Sequence, residues 1–281
     1  MFVPASFAVG LLLTILSAVC WGSWANTYKG TKNYRFELFY WDYIVGVTII
    51  SVGLALTIGS HGAAGEGFIT NLSRADTSNL AYAFVAGFIF NIANLFLVAG
   101  IDIAGLAVAF PISIGIALVE GVVLSHILQP KGSPIYLAAG VALAIAAILC
   151  DALAYGNLGG SRRAVSRKGV MVSTVSGLLM GAWAPFVTKA MTAGHQLTPY
   201  SIAVLFSVGA FVCCFLVNVY FMRHPLVGAP INFSGFWPAG ARNHSMGIAG
   251  GIVWGIGTPS TSSRRASWVW RFHMPSGNLR R

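Results

Sequence analysis

Charged residues are scarce in this 281-residue chain, and acids are the scarcest of them. Asp, Glu, Lys and Arg make up only 9% of the residues, whereas a soluble domain carries about 25%. With 56% hydrophobic residues and a mean hydropathy of +0.75, the composition is typical of a polytopic membrane protein. The net charge of +10 comes from cations in short loops and a tail. Such cations act as membrane-orientation signals, so we predict no nucleic-acid binding.

Cysteine is also rare, and catalytic signatures are missing. The four cysteines all fall inside apolar runs, with neither metal-ligand spacing nor a disulfide pattern. We find no nucleophile–base pair, metal-ligand cluster or phosphate-binding loop, so we predict no enzyme activity, no cofactor and no metal. The N-terminus has no basic region and no cleavage site before Trp21, which predicts a retained first helix.

Apolar runs of about 20 residues, enough to cross a bilayer, dominate the chain. They predict an all-α polytopic membrane protein with seven complete transmembrane helices and a partial eighth. The predicted spans are residues 7–26, 38–60, 79–100, 105–128, 134–155, 170–192, 200–222 and 246–258. Between them we expect a polar loop at 61–78 and a short link at Asp102. Lys and Arg concentrate in the loops around 29–35, 162–168 and 223–242, which predicts an external N-terminus in a plasma or inner cell membrane.

Two pairs of segments look alike at an offset of five helices. The first span ends WGSWA (21–25) and the sixth ends MGAWA (180–184), each followed by a lysine. The third contains GFIFNIA (87–93) and the eighth GIVWGIG (251–257). An odd number of helices per repeat inverts one copy, as in many secondary transporters. We therefore predict a first repeat at 1–156 and an incomplete second at 157–258, the alternative being chance similarity.

The segments WGSWANTYK (21–29) and RFELFYWDY (35–43) carry a family resemblance. With the repeat, they make the chain similar, over roughly residues 5–258, to the glucose/ribose porter family of the drug/metabolite transporter superfamily. The resemblance implies two five-helix halves, no bound cofactor and alternating-access transport of a monosaccharide or related small polar metabolite, in some members driven by protons. Two alternative functions stay open. The protein could be another permease of that superfamily, for a ureide, a nucleobase or another drug or metabolite, or it could be a receptor or scaffold that does not transport.

Indoles and amides are the candidate substrate contacts. Trp21, Trp24 and Trp183 could stack on sugar C–H faces, although tryptophan is also common at membrane interfaces. Ser23 and Asn26 add hydrogen-bonding groups beside the first two indoles. Asn91 and Asn94 are the remaining candidate substrate contacts. They are three residues apart and so lie on one helix face. Amides pair with hydroxyls as donors and acceptors, but they also link neighbouring helices.

Glu120, near the middle of the fourth span, is the candidate for proton coupling. A carboxylate at that depth is expected to be protonated or paired, for example with His126, one turn further along. Glu37 and Asp42 are interpreted as anchors of a helix start at the membrane interface, with Arg35 or Lys32 pairing with Glu37. Glycines at four-residue spacing, at 177 and 181 and at 247, 251 and 255, predict close helix packing.

The chain departs from the family pattern after Thr258, where further helices are expected. Residues 259–281 form an aberrant basic, polar and serine-rich tail without an apolar period. We interpret this tail as an out-of-frame reading of a gene that continues. The alternative is a basic cytoplasmic tail that binds anionic lipid.

Overall fold

The computed structural model describes residues 1–2, 6–61, 65–128, 130, 133–158 and 166–273, with backbone alone at 7, 151–152, 155–158 and 259–273. All regular elements in these ranges are helices: α1 Phe7–Ser23, α2 Ala25–Lys29, α3 Phe36–Leu56, α4 Phe68–Arg74, α5 Thr77–Ala104, α6 Leu106–Leu128, α7 Pro134–Leu158, α8 Arg167–Ala190, α9 Pro199–Cys213, α10 Val219–Arg223 and α11 Ala241–His273. A π-helical turn, Cys214–Asn218, joins α9 to α10, and two 3₁₀ turns, Phe233–Gly235 and Trp237–Ala239, precede α11.

In the part of the chain that the structure describes, six helical segments are long and apolar enough to cross a membrane: Ala8–Lys29, Phe36–Leu56, Thr77–Ala104, Leu106–Leu128, Arg167–Ala190 and Pro199–Arg223. The prediction of an all-α, multi-pass membrane architecture is confirmed at this level. Within α7, Pro134–Cys150 is a shorter apolar helix. The total of seven complete spans and the inverted repeat stay predictions.

Hydroxyl side chains begin three of the long helices. Ser6, Ser166 and Thr198 each accept a hydrogen bond at 3.3 Å from the backbone N–H three residues further on. Those N–H groups have no partner inside the helix, so each cap satisfies a donor that would otherwise be unpaired. Pro199 follows Thr198 as the first residue of α9, where its fixed φ suits a helix start.

The chain forms two compact units, of which the first comprises Met1–Phe84, Ala190–Phe211 and Phe233–Arg281. Its core is centred on α3, where the nine residues from Phe36 to Ile44 are all buried. A helix that is buried on all sides is typical of the centre of a bundle. Helix α11 packs along α3 and α1. Helix α1 leaves large side chains such as Leu12 and Val19 exposed, which suits contact with lipid.

The second unit comprises Val85–Lys189 and Val212–Asn232. Helix α6 packs on α7. Two serine hydroxyls of the unit donate 2.8 Å hydrogen bonds to carbonyls of neighbouring helices: Ser113 of α6 to Ser173 of α8, and Ser176 of α8 to Ala93 of α5. Gly177 of α8 lies close to Ser113 and Ile116 of α6. These small residues hold α5, α6 and α8 together at short range.

Two predicted connections differ in the structure. The expected loop at 61–78 contains the short helix α4, whose buried Asn71 bonds to the 196–201 segment and so fixes a stretch that local composition does not. Asp102 lies inside α5 rather than in a link. The chain turns instead at Gly105, whose φ of +84° is readily adopted only by glycine.

The last helix also differs from its prediction. Instead of spanning 246–258, α11 begins at Ala241 and continues as a helical backbone to His273. The prediction treated the end of the apolar period as the end of the helix, but polar residues such as Ser and Arg are compatible with helical backbone. Part of the predicted tail, residues 274–281, lies outside the described residues, as do Lys131 and the loop cations Arg162 and Arg163.

Candidate functional site

The indoles predicted near the end of the first span lie in an aromatic cluster of the first unit. The rings of Trp21 and Trp254 stack with centroids 5.9 Å apart at 15°, and Phe206 covers the other side of Trp254 at 5.9 Å and 19°. The Trp21 Nε1 donates to the Trp254 carbonyl oxygen at 3.2 Å. Gly257 leaves room for Trp21, because a Cβ there would lie 2.6 Å from Nε1.

Trp24, Ser23 and Asn26 are spread around the same end of α1. Trp24 is buried and packs against the ring of Tyr43 with centroids 4.7 Å apart. The Ser23 hydroxyl is 3.5 Å from the Cys20 carbonyl oxygen on its own helix. Asn26 lies in α2 and is exposed. Of the four predicted residues in this unit, Trp21 and Trp24 are therefore packed on aromatic partners, whereas Asn26 faces outward.

The two predicted amides lie in the second unit on α5. Asn91 is 1% exposed and Asn94 is 2% exposed, so both are enclosed by protein. The Asn91 Nδ2 donates to the Cys214 Sγ at 3.5 Å, at the start of the π-helical turn. Asn218, at the end of that turn, is fully buried as well. Single π-helical turns inside α-helices occur frequently at functional sites, and sequence reasoning gave no signal for this one.

Trp183 and Glu120 also lie in the second unit. The Trp183 ring meets Phe90, the neighbour of Asn91 in the chain, edge to face at 5.9 Å and 83°. The Glu120 Oε2 is buried and has no hydrogen-bond partner in the part of the chain that the structure describes. Gly181 of α8 faces it, since a Cβ there would lie 2.7 Å from Oε2. The glycine spacing of 177 and 181 thus admits both α6 and the Glu120 carboxyl.

The acids interpreted as anchors of a helix start lie in the first two turns of α3 and are buried. Glu37 is 0% exposed and Asp42 is 6% exposed. The predicted pairing of Arg35 with Glu37 is confirmed, with Nε donating to Oε2 at 3.1 Å and Nη2 to Oε1. Neighbouring helices cover these acids, which local sequence could not indicate.

Asp42 has two partners that sequence reasoning missed. It accepts a hydrogen bond from the Tyr34 hydroxyl at 2.7 Å, and the Nδ1 of His244 lies 2.9 and 3.0 Å from its two oxygens. Burial, together with the hydrogen bond to Asp42 and the charge of Asp42, raises the pKa of Tyr34 above its usual value. The only available signals were a histidine and an acid at two predicted helix starts, 202 residues apart.

A cavity of about 350 Å³ in the first unit lies among α4, Met1 and the segment 191–199. The buried Asn71 supports it: Nδ2 donates to the Gln196 carbonyl oxygen, while Oδ1 accepts from the Thr198 N–H and the Ser201 hydroxyl. Glu66 and Arg74 form an exposed 3.0 Å ion pair at its rim. None of the predicted site residues lines this cavity.

Comparison with known proteins gives no match: no family model, no curated protein and no solved structure matches the chain. The resemblance to the glucose/ribose porters therefore depends on the two segments at 21–29 and 35–43 and on the repeat.

Proposed function

We propose that the protein is a secondary active transporter for a monosaccharide or a related small polar metabolite. It works by alternating access between inverted five-helix repeats in a plasma or inner cell membrane, and protons drive it. Its site residues are Trp21, Ser23, Trp24, Asn26, Asn91, Asn94 and Trp183, with Glu120 for coupling.

The observation that carries this proposal is the burial of Asn91 and Asn94 within an apolar helix long enough to cross a membrane. Polar groups at membrane depth are costly and mark substrate pathways more often than passive anchors. The π-helical turn opposite Asn91 supports the same interpretation, since such turns occur at functional sites. A receptor or scaffold would need no such polar cluster between its helices.

Glu120 supports proton coupling. Its Oε2 is buried without a hydrogen-bond partner among the described residues, so a negative charge there is unfavourable in free energy. Loading a proton removes that charge and releasing it restores it, so the state of Glu120 can be tied to the direction of transport.

Counterflow in proteoliposomes tests the proposal. Vesicles preloaded with an unlabelled compound should transiently accumulate the labelled compound for at least one member of a panel of neutral monosaccharides, polyols, ureides and nucleobases. Accumulation confined to ureides or nucleobases would favour the related permeases. No accumulation with any compound, for folded protein, would contradict transport and favour a receptor or scaffold.

Replacing both amides, Asn91→Ala with Asn94→Ala, should reduce counterflow by at least about fivefold, because two hydrogen bonds to a charge-free substrate are worth roughly 1–3 kcal/mol. The matched control is Asn232→Ala, an exposed amide of the same unit. Equal counterflow by the double variant and the control would assign the two amides to helix packing.

A further inference from the structure

The Asp42 carboxylate is the meeting point of three segments of the first unit. Tyr34 comes from the loop before α3, Asp42 from the second turn of α3, and His244 from the first turn of α11. Donor distances of 2.7 to 3.0 Å are those of good hydrogen bonds. Asp42 is 6% exposed, whereas the His244 side chain is 25% exposed and so reaches the surface at this end.

Other charges near this end are occupied or face outward. Glu37, on the same helix as Asp42, is paired with Arg35. The cations Lys29 and Lys32 of the preceding segment and Arg242 of α11 have exposed side chains. Among the described residues, the ionisable groups in hydrogen-bond contact with Asp42 are therefore Tyr34 and His244.

The net charge of the Asp42–His244 pair depends on one proton. With one proton shared between them, Asp42 and His244 are either an ion pair or two neutral groups, so the buried site has no net charge. Removal of that proton leaves a carboxylate that faces only neutral donors. Since Tyr34 has a raised pKa, it stays a donor and does not supply the missing positive charge. A buried charge without a counter-charge is strongly destabilising unless water reaches it.

The packing beside the pair determines where water can enter. Gly247 lies against the Asp42 side chain, Gly251 against the Tyr43 carbonyl oxygen and Gly46 against the Ile248 carbonyl oxygen, too close for an added Cβ in each case. At these glycines α3 and α11 are in close contact beside Asp42. The outer end is held by hydrogen bonds instead, since Asn243 accepts from the Lys32 N–H at 3.1 Å and donates to the Lys32 carbonyl oxygen at 3.0 Å.

We propose that Asp42, His244 and Tyr34 form a proton-binding site that holds this end of α3 and α11 closed. Loading one proton keeps the loop at 30–35 against the start of α11. Its release opens the loop and admits water to Asp42. This site is separate from Glu120 and does not depend on the protein being a sugar transporter.

The test measures how fast a water-soluble maleimide labels the purified full chain at different pH values. The reporter is Lys32→Cys in a Cys150→Ser background, because Cys150 is the exposed native cysteine of the four. A second reporter, Ser73→Cys, lies near the other end of α3 and corrects for the pH dependence of the thiol. The labelling ratio of the two should rise by at least about tenfold from acidic to alkaline pH, given the cost of a lone buried charge.

Variants decide whether Asp42 and His244 cause that rise. Asp42→Asn should give a ratio that does not change with pH, and His244→Gln should leave the loop open at neutral pH. Asp76→Asn is the control at the other end and should behave as the wild type. A pH-independent ratio in the wild type, or an unchanged rise in both Asp42→Asn and His244→Gln, would overturn the proposal.

Infrared difference spectra between acidic and alkaline pH give a second readout that needs no reporter cysteine. The wild type should show carboxylate and imidazole bands that change together at one midpoint, and Asp42→Asn should lose the carboxylate component. If Asp42→Asn does not fold, Tyr34→Phe replaces it and should shift that midpoint, since it removes one donor and keeps the ring. A carboxylate band unaffected by Tyr34→Phe and His244→Gln would exclude the site.

Discussion

The carboxyl groups of the half-buried Glu120 and the buried Asp42 have opposite surroundings. Asp42 receives two donors, whereas the Oε2 of Glu120 has none among the described residues. The neighbour of Glu120 across the helix contact is Gly181, which contributes space rather than a hydrogen bond. An acid whose Oε2 has no hydrogen-bond partner among the described residues can exchange a proton without breaking a hydrogen bond at that atom.

Glu120→Gln should abolish accumulation driven by a pH gradient and leave exchange intact, because exchange need not release the proton. Radiolabel uptake in proteoliposomes, with and without an imposed gradient, measures both activities. The fall in accumulation should be complete, since the amide carries no titratable proton.

Glu66→Gln is the control for that variant, since it removes an acid from an exposed ion pair. If Glu120→Gln still concentrates substrate against its gradient, Glu120 serves packing between α6 and α8.

Residues close in sequence were easier to predict than residues brought together by the fold. Arg35 and Glu37 are two positions apart, so their pairing could be predicted without knowing the fold. His244 is 202 positions from Asp42, and its contact depends on α11 packing along α3. No local pattern encodes that pairing. The same reason explains why Asn91 was predicted as a site residue while its partner Cys214 was not.

At the scale of the helices, glycine spacing was the most informative pattern. Gly247, Gly251 and Gly255 follow one face of α11, and each would bring a Cβ into contact with α3. The predicted close packing of these glycines is confirmed. Gly53 of α3, by contrast, has no atom of the described residues within 4 Å of an added Cβ.

Gly251→Ala should lower the thermal unfolding temperature in detergent, because the new methyl group overlaps the Tyr43 carbonyl oxygen and the backbone must shift. Overpacking of this kind costs about 1–3 kcal/mol. Gly53→Ala should be neutral or raise stability by up to about 1 kcal/mol, since alanine is the better helix former. Equal unfolding temperatures for the two variants would show that α3 and α11 are not tightly packed at Gly251.

Helix boundaries were predictable only where composition and geometry agree. Span ends near Leu128 and Pro199 fall within a residue or two of the structure, because apolar period and turn residues change together there. The polar composition of α4 predicted a loop where the structure has a helix. The loss of apolar period at Thr258 predicted a helix end, whereas α11 continues beyond it. The π-helical turn has an ordinary apolar sequence, so its backbone register could not be predicted from periodicity.

At the scale of the whole molecule, the loop cations predict the membrane orientation. Helix α3 separates Lys32 from Ser73 by 21 residues of helix, a length of about 30 Å and thus a full hydrocarbon core. Positive-inside counting predicts that the 29–35 loop lies in the cytoplasm and the α4 side at the exterior.

Labelling intact cells with an impermeant maleimide should therefore modify Ser73→Cys and leave Lys32→Cys unmodified until the cells are permeabilised. Gly30, a natural first choice for a reporter, is less suitable because a Cβ there would lie 3.3 Å from the Met246 sulfur. Cys150→Ser removes the exposed native thiol. The reverse labelling pattern would place the N-terminus in the cytoplasm.

The bonding of Asn71 has a consequence for glycosylation. Asn71, Leu72 and Ser73 spell an acceptor triplet for N-linked sugar. The nitrogen to which an oligosaccharide would be joined is the one that donates to the Gln196 carbonyl oxygen at 3.0 Å, and the residue is 5% exposed. A glycan and the folded 191–199 segment are mutually exclusive. A chain that carries sugar at Asn71 was modified before this segment packed over α4. Glycosylation at Asn71 would therefore indicate that the segment folded slowly or not at all.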